Sequence, residues 1–488
     1  MADVIIIGGG VAGLSAGIYA RLCGFETTIY EAHTKAGGNL TGWQRGGYHI
    51  DNCIHWLTGT NPATSTYRMW EELGVLGGVE VFTPNSLYTV RHEGESLSLF
   101  SDLDRIQSEM LAVSPSDERE ILDLVRAVRL MQGIIGIAGK EQNESLSLGD
   151  VLNLPLLLKY YKLSCAELSD RFSHPLLRKF VRAFWGDEFG ALAMVCVFAN
   201  FCGGNGGLVR GGSLAAAERM TARYLSLGGQ LKLGARVEKI KLSDKRARSI
   251  VLPDGTEISA DYVISTADPD TVFGKSLDLP MPNPLVKEYK NNRIHRFSSY
   301  QCAIACKSQI LPFEGDCIFT VDGSQIILRE FSHEGGFAPS GEVILQTMTF
   351  CSERECLDFI RLRGIDKAAY DKRKAWMGKR QIALIEKEFP ILKGHLSLID
   401  VWTPATYKRY TSSGIGSYMA FTFPSRAFPK KISARVRGAS NVFLATQWQQ
   451  YPGGLPIAAE RGREAVLELC RREPKLVSAN IKKISACT

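Results

Sequence analysis

Residues 4–13 of the chain read VIIIGGGVAG. Four apolar residues, typical of a buried strand, run directly into a Gly-x-Gly-x-x-Gly pattern and a helix-compatible segment. We expect Gly8 to permit a tight turn and Gly10 to let the backbone approach a pyrophosphate, while Gly13 lets the helix lie close to the strand. The free N–H groups and the positive end of that helix would then meet the phosphates.

A second short apolar strand is predicted at 27–30, and it ends on Glu31. Glu31 stands 18 positions after Gly13, where an acidic side chain can accept hydrogen bonds from the ribose of an adenosine. A glycine triplet alone would also fit a structural turn in another α/β protein. The order of strand, glycines, helix, strand and acid together predicts a dinucleotide site.

The composition bounds the class of protein. The chain has 488 residues, enough for two or three domains, with 45% hydrophobic and 22% charged residues. A net charge of +7 is a small bias over this length and does not indicate a nucleic-acid partner. We expect a cytoplasmic protein, because no signal-peptide pattern is present and the twelve cysteines include no CxxC pair. No cysteine and histidine spacing predicts a metal site.

Two kinds of pattern alternate along the chain and predict a discontinuous domain organisation. Strands, helices and glycine turns of a nucleotide-binding domain recur in three segments: 1–80, 205–272 and 430–470. A substrate or cap domain is predicted in the two segments between them: 81–204 and 273–429. The apolar run at 189–202 is too short to span a bilayer and is expected to form a buried helix. Residues 471–488 are predicted to be a polar C-terminal tail.

Further motifs accompany the first glycine turn. On the cofactor side they are Gly37-Gly38, Gly47 with Asp51, Arg210-Gly211-Gly212-Ser213, Val237 and Gly453-Gly454-Leu455-Pro456. Together with Glu31 they resemble the flavin-containing amine oxidase/phytoene desaturase superfamily. The segment 403–411, followed by Gly414 and Gly416, is more similar to the phytoene desaturase and retinol saturase branch. The resemblance implies an α/β fold, with a Rossmann-like FAD-binding domain of the glutathione-reductase type and an inserted α+β substrate domain.

The resemblance also implies how FAD would be held along its length. The pyrophosphate would lie on the first turn, against Gly8, Gly10, Ala12 and Gly13. Glu31 would bind the adenosine ribose, and the backbone of Val237 would pair with the adenine. Gly38 and Asn39 would contact the phosphate and ribityl region.

At the flavin end, the resemblance places Gly454 and Leu455 beside the N1–C2=O edge of the ring. There the helix dipole would favour negative charge on the reduced flavin. Gln447 stands where the family more often has an acid that contacts the pyrophosphate or ribityl chain. An uncharged amide can still donate a hydrogen bond to a phosphate. The chain also lacks the glycine that commonly follows Asp51 by two positions, since Cys53 stands there.

Few residues are candidates for catalysis, and the catalytic acid or base is not identified. His55 lies at the turn expected to face the flavin, as a cofactor contact or as a structural histidine. Tyr407, with Tyr410 and Phe421, either lines a substrate tunnel or packs in a core. Asp51 either caps backbone N–H groups in its loop or contacts the cofactor.

By resemblance, we expect an FAD-dependent oxidoreductase that transfers hydride at a C–C or C=C bond of an apolar, polyene- or lipid-like substrate. Phytoene desaturase-like desaturation, retinol saturase-like reduction and double-bond isomerisation all remain open. An amine oxidase and a lipid-binding escort protein without flavin are alternatives of other classes. The glycine cluster at 203–207 does not follow a strand and open a helix, as a second dinucleotide motif would. The sequence therefore predicts no separate NAD(P) site, and the redox partner is unknown.

Two basic stretches, 372–380 and 430–437, suggest one further partner. They either dock on anionic lipid headgroups or form solvated faces. The first alternative predicts peripheral contact with a membrane surface, from which an apolar substrate could be taken.

Overall fold

A computed structural model describes the chain at residues 2–135, 148–183, 186–187, 189–281, 287, 294–427 and 431–473. Two large sheets organise this part of the chain, one of five strands and one of seven. Most of the predicted C-terminal tail, residues 474–488, lies outside the described residues.

The five-stranded sheet is parallel and forms the centre of the nucleotide-binding domain. Its strands lie in the order Gln230–Lys232, Glu26–Tyr30, Asp3–Ile7, Tyr262–Ser265 and Val442–Leu444. The apolar run that opens the chain is its central strand, in which Val4, Ile5 and Ile6 are buried. A continuous apolar strand covered on both faces is typical of parallel sheets. The predicted Rossmann-like α/β fold is therefore confirmed.

Three helices pack beside this sheet: Val11–Leu22, Gly212–Ser226 and Leu455–Cys470. The first and the last cross closely, because Gly462 has no side chain at their contact. A Cβ at Gly462 would lie 2.4 Å from the Ala12 carbonyl oxygen. At the same crossing, Ser15 Oγ donates to the Ala459 carbonyl oxygen at 2.6 Å. Helices from the two ends of the chain are thus locked side by side.

The seven-stranded sheet lies in the inserted segments. Its strands lie in the order Ser397–Trp402, Phe297–Lys307, Glu342–Ser352, Ser324–Glu330, Cys317–Val321, Ser86–His92 and Glu95–Phe100. Alternate residues point to opposite faces of a strand. On one face, Phe319 packs with Leu384 and Ile385 of the helix Lys367–Glu388. On the other, Ile318 belongs to a core shared with a layer of helices.

That helical layer consists of Leu103–Val113, Glu118–Ile134, Leu148–Lys162, Cys165–Ser169, Pro175–Arg182 and Ala191–Cys202. Within the run at 189–202 the structure has the helix that the sequence predicts, Ala191–Cys202, and half of its residues are buried. Outside the layer, further helices are Ser65–Glu72, Glu353–Ile365 and Pro404–Thr411.

Smaller sheets complete the described structure. Gly42–Arg45 pairs with Tyr48–Asp51. One three-stranded sheet contains Lys239–Ser243, Arg246–Val251 and Glu257–Ser259. Another contains Leu57–Thr58, Gly206–Val209 and Val81–Phe82. This last sheet joins segments from both sides of the boundary that we predict at residue 80, and the domain division itself stays a proposal.

The strand Lys239–Ser243 begins two residues after Val237, so Val237 lies in the loop before it. The helix Glu118–Ile134 is preceded by a short 3₁₀ turn, Pro115–Asp117. Proline fixes its own φ but lacks an N–H, and it is tolerated in a first turn of this kind.

None of the helices in the described part of the chain combines the length and the apolar character needed to cross a bilayer. Within the same residues, no group of three His, Cys, Asp or Glu side chains could hold a metal ion. The cysteines of the described segments are all free thiols.

The helix crossing predicts the effect of adding one methyl group. We expect Gly462→Ala to lower the free energy of unfolding by about 1–3 kcal/mol, because the new methyl must displace backbone in a packed core. Gly364→Ala is the matched control, since Gly364 is an exposed helical glycine with open space around it. The control should stabilise the protein by up to about 1 kcal/mol. Chemical denaturation of both variants measures this, and equal stability of Gly462→Ala and wild type would contradict the crossing.

Candidate functional site

A cavity of about 620 Å³ lies where the carboxyl ends of the central parallel strands meet the inserted domain. Ligands of open α/β sheets bind at this edge. Every predicted cofactor residue except Gly13 lines the cavity: Gly8, Gly10, Ala12, Glu31, Gly38, Asn39, His55, Val237, Gln447, Gly454 and Leu455. Residues from distant parts of the sequence therefore converge on one space.

The first glycine turn forms one wall. The helix Val11–Leu22 begins after Gly10 with no side-chain cap and no acidic residue in its first turn. The loop at Gly37 is bound to the turn, because its N–H donates to the Gly9 carbonyl oxygen at 2.8 Å. A Cβ on Gly10 would lie 3.9 Å from the Gly38 Cα. This wall therefore presents bare backbone and the positive end of a helix, which suits a phosphate.

Gly13 serves the turn rather than the cavity. A Cβ at this position would lie 1.9 Å from the Gly8 carbonyl oxygen, closer than real atoms approach. Gly13 thus allows the helix to start directly against the strand, which is the packing role expected of the third glycine.

Glu31 is held in place by backbone amides. Its Oε2 accepts from the Gly9 N–H at 2.6 Å, and its Oε1 accepts from the His33 N–H at 2.7 Å. The side chain is buried at the cavity wall. Each carboxylate oxygen can accept a further bond, so both remain able to bind hydroxyl groups.

Asp51 does not line the cavity. Its carboxylate accepts from the Ser213 N–H at 2.5 Å and from the Ser213 hydroxyl at 2.6 Å. The Ser213 hydroxyl in turn accepts from the Ile54 N–H at 2.8 Å. A Cβ on Gly212 would lie 2.2 Å from the Asp51 Oδ2, which explains the glycine there. Of the two alternatives for Asp51, the structure shows the backbone cap, and this cap holds the turn that carries His55.

A buried arginine holds the same turn from the other side. Arg329, on the seven-stranded sheet, donates to the Ile54 carbonyl oxygen at 3.0 Å and to the His55 carbonyl oxygen at 3.5 Å. Its Nε lies 3.0 Å from the Asp316 Oδ2. Burial raises the pKa of Asp316 to about 6, although Arg329 opposes this shift. The pair anchors the turn that contains Ile54 and His55, called the cofactor loop below, to the inserted domain.

His55 lines the cavity and is buried. Burial, together with the nearby positive charge of Arg329, holds the pKa of His55 well below its usual value. His55 is therefore a neutral imidazole at neutral pH, with one nitrogen able to donate a proton in a hydrogen bond and one able to accept.

Tyr407 does not line the cavity. Its hydroxyl lies 2.9 Å from the Gln301 Nε2 and 3.1 Å from the Trp402 Nε1, in a buried cluster. Tyr418, which the sequence reading missed, lies between Tyr407 and the cavity. The Tyr418 hydroxyl donates to the Cys53 carbonyl oxygen at 3.1 Å. Tyr418 is therefore the residue that faces the cavity here, with Tyr407 packed behind it.

Residues 410–413 and 417–419 also line the cavity. Hydrogen bonds connect their segment to the nucleotide-binding domain. The Asn39 amide donates to the carbonyl oxygens of Ser417 and Tyr418, both at 3.2 Å. The Asp268 carboxylate accepts from the Gly414 N–H at 3.2 Å and from the Thr271 N–H at 3.0 Å. Burial raises the pKa of Asp268. Asp268 was also missed by the sequence analysis, although it follows the strand Tyr262–Ser265, whose carboxyl end lies at this edge.

The C-terminal helix supplies the opposite end of the site. Leu455–Cys470 begins at Gly454 with no side-chain cap and no acid in its first turn. The Gln447 Oε1 accepts from the Gly454 N–H at 2.9 Å. This bond occupies the N–H of Gly454, and the Gln447 NH₂ group remains available at the cavity wall.

Beside the helix Ala191–Cys202 and the seven-stranded sheet the lining is apolar apart from Asn200, and its apolar residues are Trp56, Phe189, Val197, Phe297, Met348 and Phe350. Among the described lining residues, Glu31 and Asp268 are the two carboxylates, and both are bound to backbone amides. Within the described lining, Arg236 is the single residue with a positively charged side chain. The apolar end therefore offers no charge to a ligand.

Comparisons with known proteins place this site in context. The family described as flavin containing amine oxidoreductase matches residues 11–306, more than half of the chain. Prolycopene isomerase of Daucus carota is 24% identical over 447 residues, which is 85% of this chain and 71% of the relative. The 4,4'-diaponeurosporene oxygenase of Staphylococcus aureus is 19% identical over 505 residues, covering 97% of this chain and 99% of the relative.

Solved structures share the fold. A putrescine oxidase variant matches with a TM-score of 0.61 at 15% identity, over 96% of this chain and 99% of that one. An oxidoreductase from Methanosarcina mazei matches with a TM-score of 0.60 at 14% identity, over 96% and 100%. Cyclohexylamine oxidase from Brevibacterium oxydans gives 0.59 at 14% identity, over 97% and 99%. At these identities the likeness shows the architecture alone.

The first turn predicts a variant that separates folding from cofactor binding. A Cβ on Gly10 makes only ordinary van der Waals contacts, so Gly10→Leu should fold. Its side chain should fill the groove beside the first glycine turn, where we expect the phosphates. We expect loss of most bound flavin, measured as visible absorbance per mole of protein. Gly335→Leu, on an exposed turn with open space around it, is the matched control and should retain flavin. Full flavin content in Gly10→Leu would show that the groove is not the phosphate site.

His55 predicts a pH dependence of stability. In the unfolded chain the pKa of histidine is about 6.5. Below this pH the unfolded state binds a proton at His55, while the folded state keeps this side chain neutral. Acidification below about pH 6.5 should therefore destabilise wild type more than His55→Gln. A pH dependence remains in that variant, because burial also lowers the pKa of His333, to about 4, and the raised pKa of Asp316, about 6, acts in the opposite direction. Denaturation midpoints between pH 7.5 and 5 measure this, with the exposed His395→Gln as a control of unchanged slope.

Proposed function

The chain belongs to the flavin-containing amine oxidoreductase family, and we propose that it acts at a C–C or C=C bond of an apolar, polyene- or lipid-like substrate. The observation that carries this proposal is the apolar, uncharged end of the cavity, which adjoins the predicted cofactor groove. Two similar proteins, the carrot isomerase and the staphylococcal oxygenase, bear the names of carotenoid enzymes. Their names support a polyene as the class of substrate.

The residues present fit FAD, the cofactor of this family. Two uncapped helix N-termini, of Val11–Leu22 and Leu455–Cys470, open on one cavity. We propose that the first holds the pyrophosphate and that Glu31 binds the ribose. The second helix would hold the flavin edge, with Gln447 beside it. When bound, FAD supplies a site that accepts or donates hydride.

The residues of the chain have supporting roles in this proposal. The aromatic and aliphatic lining, including Trp56 and Phe350, excludes water and aligns an extended apolar chain. Neutral His55 is the candidate to hold or move a proton at one of its ring nitrogens. Arg329 and Asp51 position the turn that carries His55. Tyr407, behind the wall, is a positioning residue for Tyr418.

An amine oxidase is the second candidate, and the lining argues against it. A protonated amine entering an apolar site needs a counter-charge or hydrogen-bond acceptors to replace its water. In the described lining, the carboxylates of Glu31 and Asp268 are bound to the amides of Gly9 and of Thr271 and Gly414. The apolar end itself carries no described carboxylate. The direction of the reaction, whether desaturation, reduction or isomerisation, stays open, as does the redox partner.

We also propose peripheral contact with an anionic membrane surface. The helix Lys367–Glu388 carries the first basic stretch, and Trp376 on it is 58% exposed. Ile365 and Ile391, just before and after this helix, are 76% and 60% exposed. Exposed aromatic and aliphatic side chains beside basic residues suit a lipid interface. The second stretch is described only from residue 431.

Anaerobic turnover with the flavin-loaded protein tests the proposal. A C40 hydrocarbon polyene is supplied in phosphatidylcholine vesicles, with and without anionic lipid, to the oxidised and to the chemically reduced protein. We expect a changed polyene by chromatography in one of these states, faster with anionic lipid. Val197→Trp should lower the rate at least about tenfold while flavin is retained, because the indole fills the apolar end.

The same protein is given a panel of primary amines, with peroxide as the readout. Peroxide formation on amines without any change in the polyene would make the amine oxidase the correct alternative. Ile391→Ser, at an exposed site outside the cavity lining, is the control for a surface substitution. It should keep the wild-type rate on the polyene in neutral vesicles.

A further inference from the structure

The helix Ala191–Cys202 contains a single polar residue. Its sequence, ALAMVCVFANFC, is apolar at every position except Asn200. Asn200 lines the cavity, on the wall that also contains Val197. An amide costs free energy in an apolar wall unless it is hydrogen-bonded, so its bonds reveal why it is there.

The orientation of the Asn200 amide is determined by a chain of hydrogen bonds. The backbone N–H of Asn61 can only donate, and it donates to Asn205 Oδ1 at 2.9 Å. The Asn205 NH₂ group therefore donates to Asn200 Oδ1, at 2.8 Å. The Asn200 NH₂ group then donates to the Cys196 carbonyl oxygen, at 2.7 Å. Because a backbone amide starts this chain, the oxygen and the nitrogen of Asn200 cannot be exchanged.

These bonds use half of the capacity of the Asn200 side chain. A primary amide has two N–H donors and two lone pairs on its oxygen. One donor is bound to Cys196 and one lone pair to Asn205, which leaves one N–H and one lone pair on a side chain at the cavity wall. Val197 of the same helix, and Met348 and Phe350 of the seven-stranded sheet, also line the cavity and are apolar.

A neutral oxygen is the ligand group that this arrangement fits. The described lining at this end carries no charged side chain, so a carboxylate or an ammonium group would lose its water without a partner. A carbonyl oxygen can accept the remaining N–H, and a hydroxyl can use the N–H and the lone pair together.

We propose that Asn200 is a specificity-determining residue that binds a hydroxyl or carbonyl oxygen at one end of the polyene-like substrate. This inference rests on the proposed function, because the cavity must hold such a substrate for Asn200 to meet it. The glycine-rich turn after the helix has a role in this site. It places Asn205 between Asn61, which follows the cofactor loop, and Asn200.

Equilibrium binding to the FAD-loaded protein tests the proposal. Three probes of equal length are compared: a hydrocarbon polyene, the same polyene with one terminal hydroxyl, and the same polyene with one terminal keto group. We expect wild type to bind the two oxygenated probes about tenfold more tightly than the hydrocarbon. Asn200→Leu should bind all three alike, at the wild-type affinity for the hydrocarbon.

Two further variants keep the test sharp. Val197→Leu, a purely apolar change in the same wall, should keep the wild-type preference. Asn200→Leu leaves the buried Asn205 amide without its acceptor, so Asn200→Ser is made as well, since its hydroxyl can still face Asn205. Asn200→Ser should also lose the preference, while flavin content and the thermal midpoint stay near those of wild type.

The outcomes separate this inference from the proposed function. Equal binding of the three probes by wild type overturns the role of Asn200 and leaves the proposed function standing. A preference that survives in Asn200→Ser, or a loss of flavin in that variant with the preference unchanged, also overturns it. If wild type binds none of the probes, the proposed function is wrong and the inference falls with it.

Discussion

The site depends on the close contact of two helices from opposite ends of the chain. Gly462 lets the helix Leu455–Cys470 press against the backbone of Val11–Leu22 at Ala12. This contact sets two helix N-termini, both without side-chain caps, beside one cavity. The positive ends of these two helices form an electrostatic frame for a long anionic cofactor. An extra methyl at the contact would separate the two ends that must bind one molecule.

The frame is joined to the inserted domain by buried polar bonds rather than by apolar packing alone. Arg329 reaches from the seven-stranded sheet to the carbonyl oxygens of the His55 turn, and Asp316 balances its charge. On the other side of that turn, Asp51 and Ser213 bind its N–H groups. Buried groups of this kind are costly when one partner is missing, so they specify one arrangement of the two domains. The cofactor loop is therefore set by both domains at once.

Much of the cofactor side could be predicted because it rests on local rules. The glycine turn, the strand after it and Glu31 are read from spacing alone, and the structure brings them to one cavity. Gly13 has the packing role that the motif assigns to it, although it does not line the cavity. Tyr407 shows where such rules stop, because it lies one layer behind the wall.

The substrate side could not be predicted in the same way. Arg329 and Tyr418 act through partners more than a hundred positions away, so no local pattern marks them. Asn200 stands out as the single polar residue of an apolar helix, but only the folded structure shows that it lines the cavity. Asp268 is the exception, because strand order in α/β folds points to the residues just after Tyr262–Ser265.

The order of segments along the chain has a consequence for biosynthesis. The strands of the seven-stranded sheet all lie within 86–402, so they leave the ribosome before Val442–Leu444 and Leu455–Cys470 are made. The inserted domain can therefore fold while its host domain still lacks an edge strand and a helix. Only when these last segments emerge is the second helix end in place. A cofactor site that needs this helix end is therefore complete only after residues 455–470 have been synthesised and have packed against Val11–Leu22.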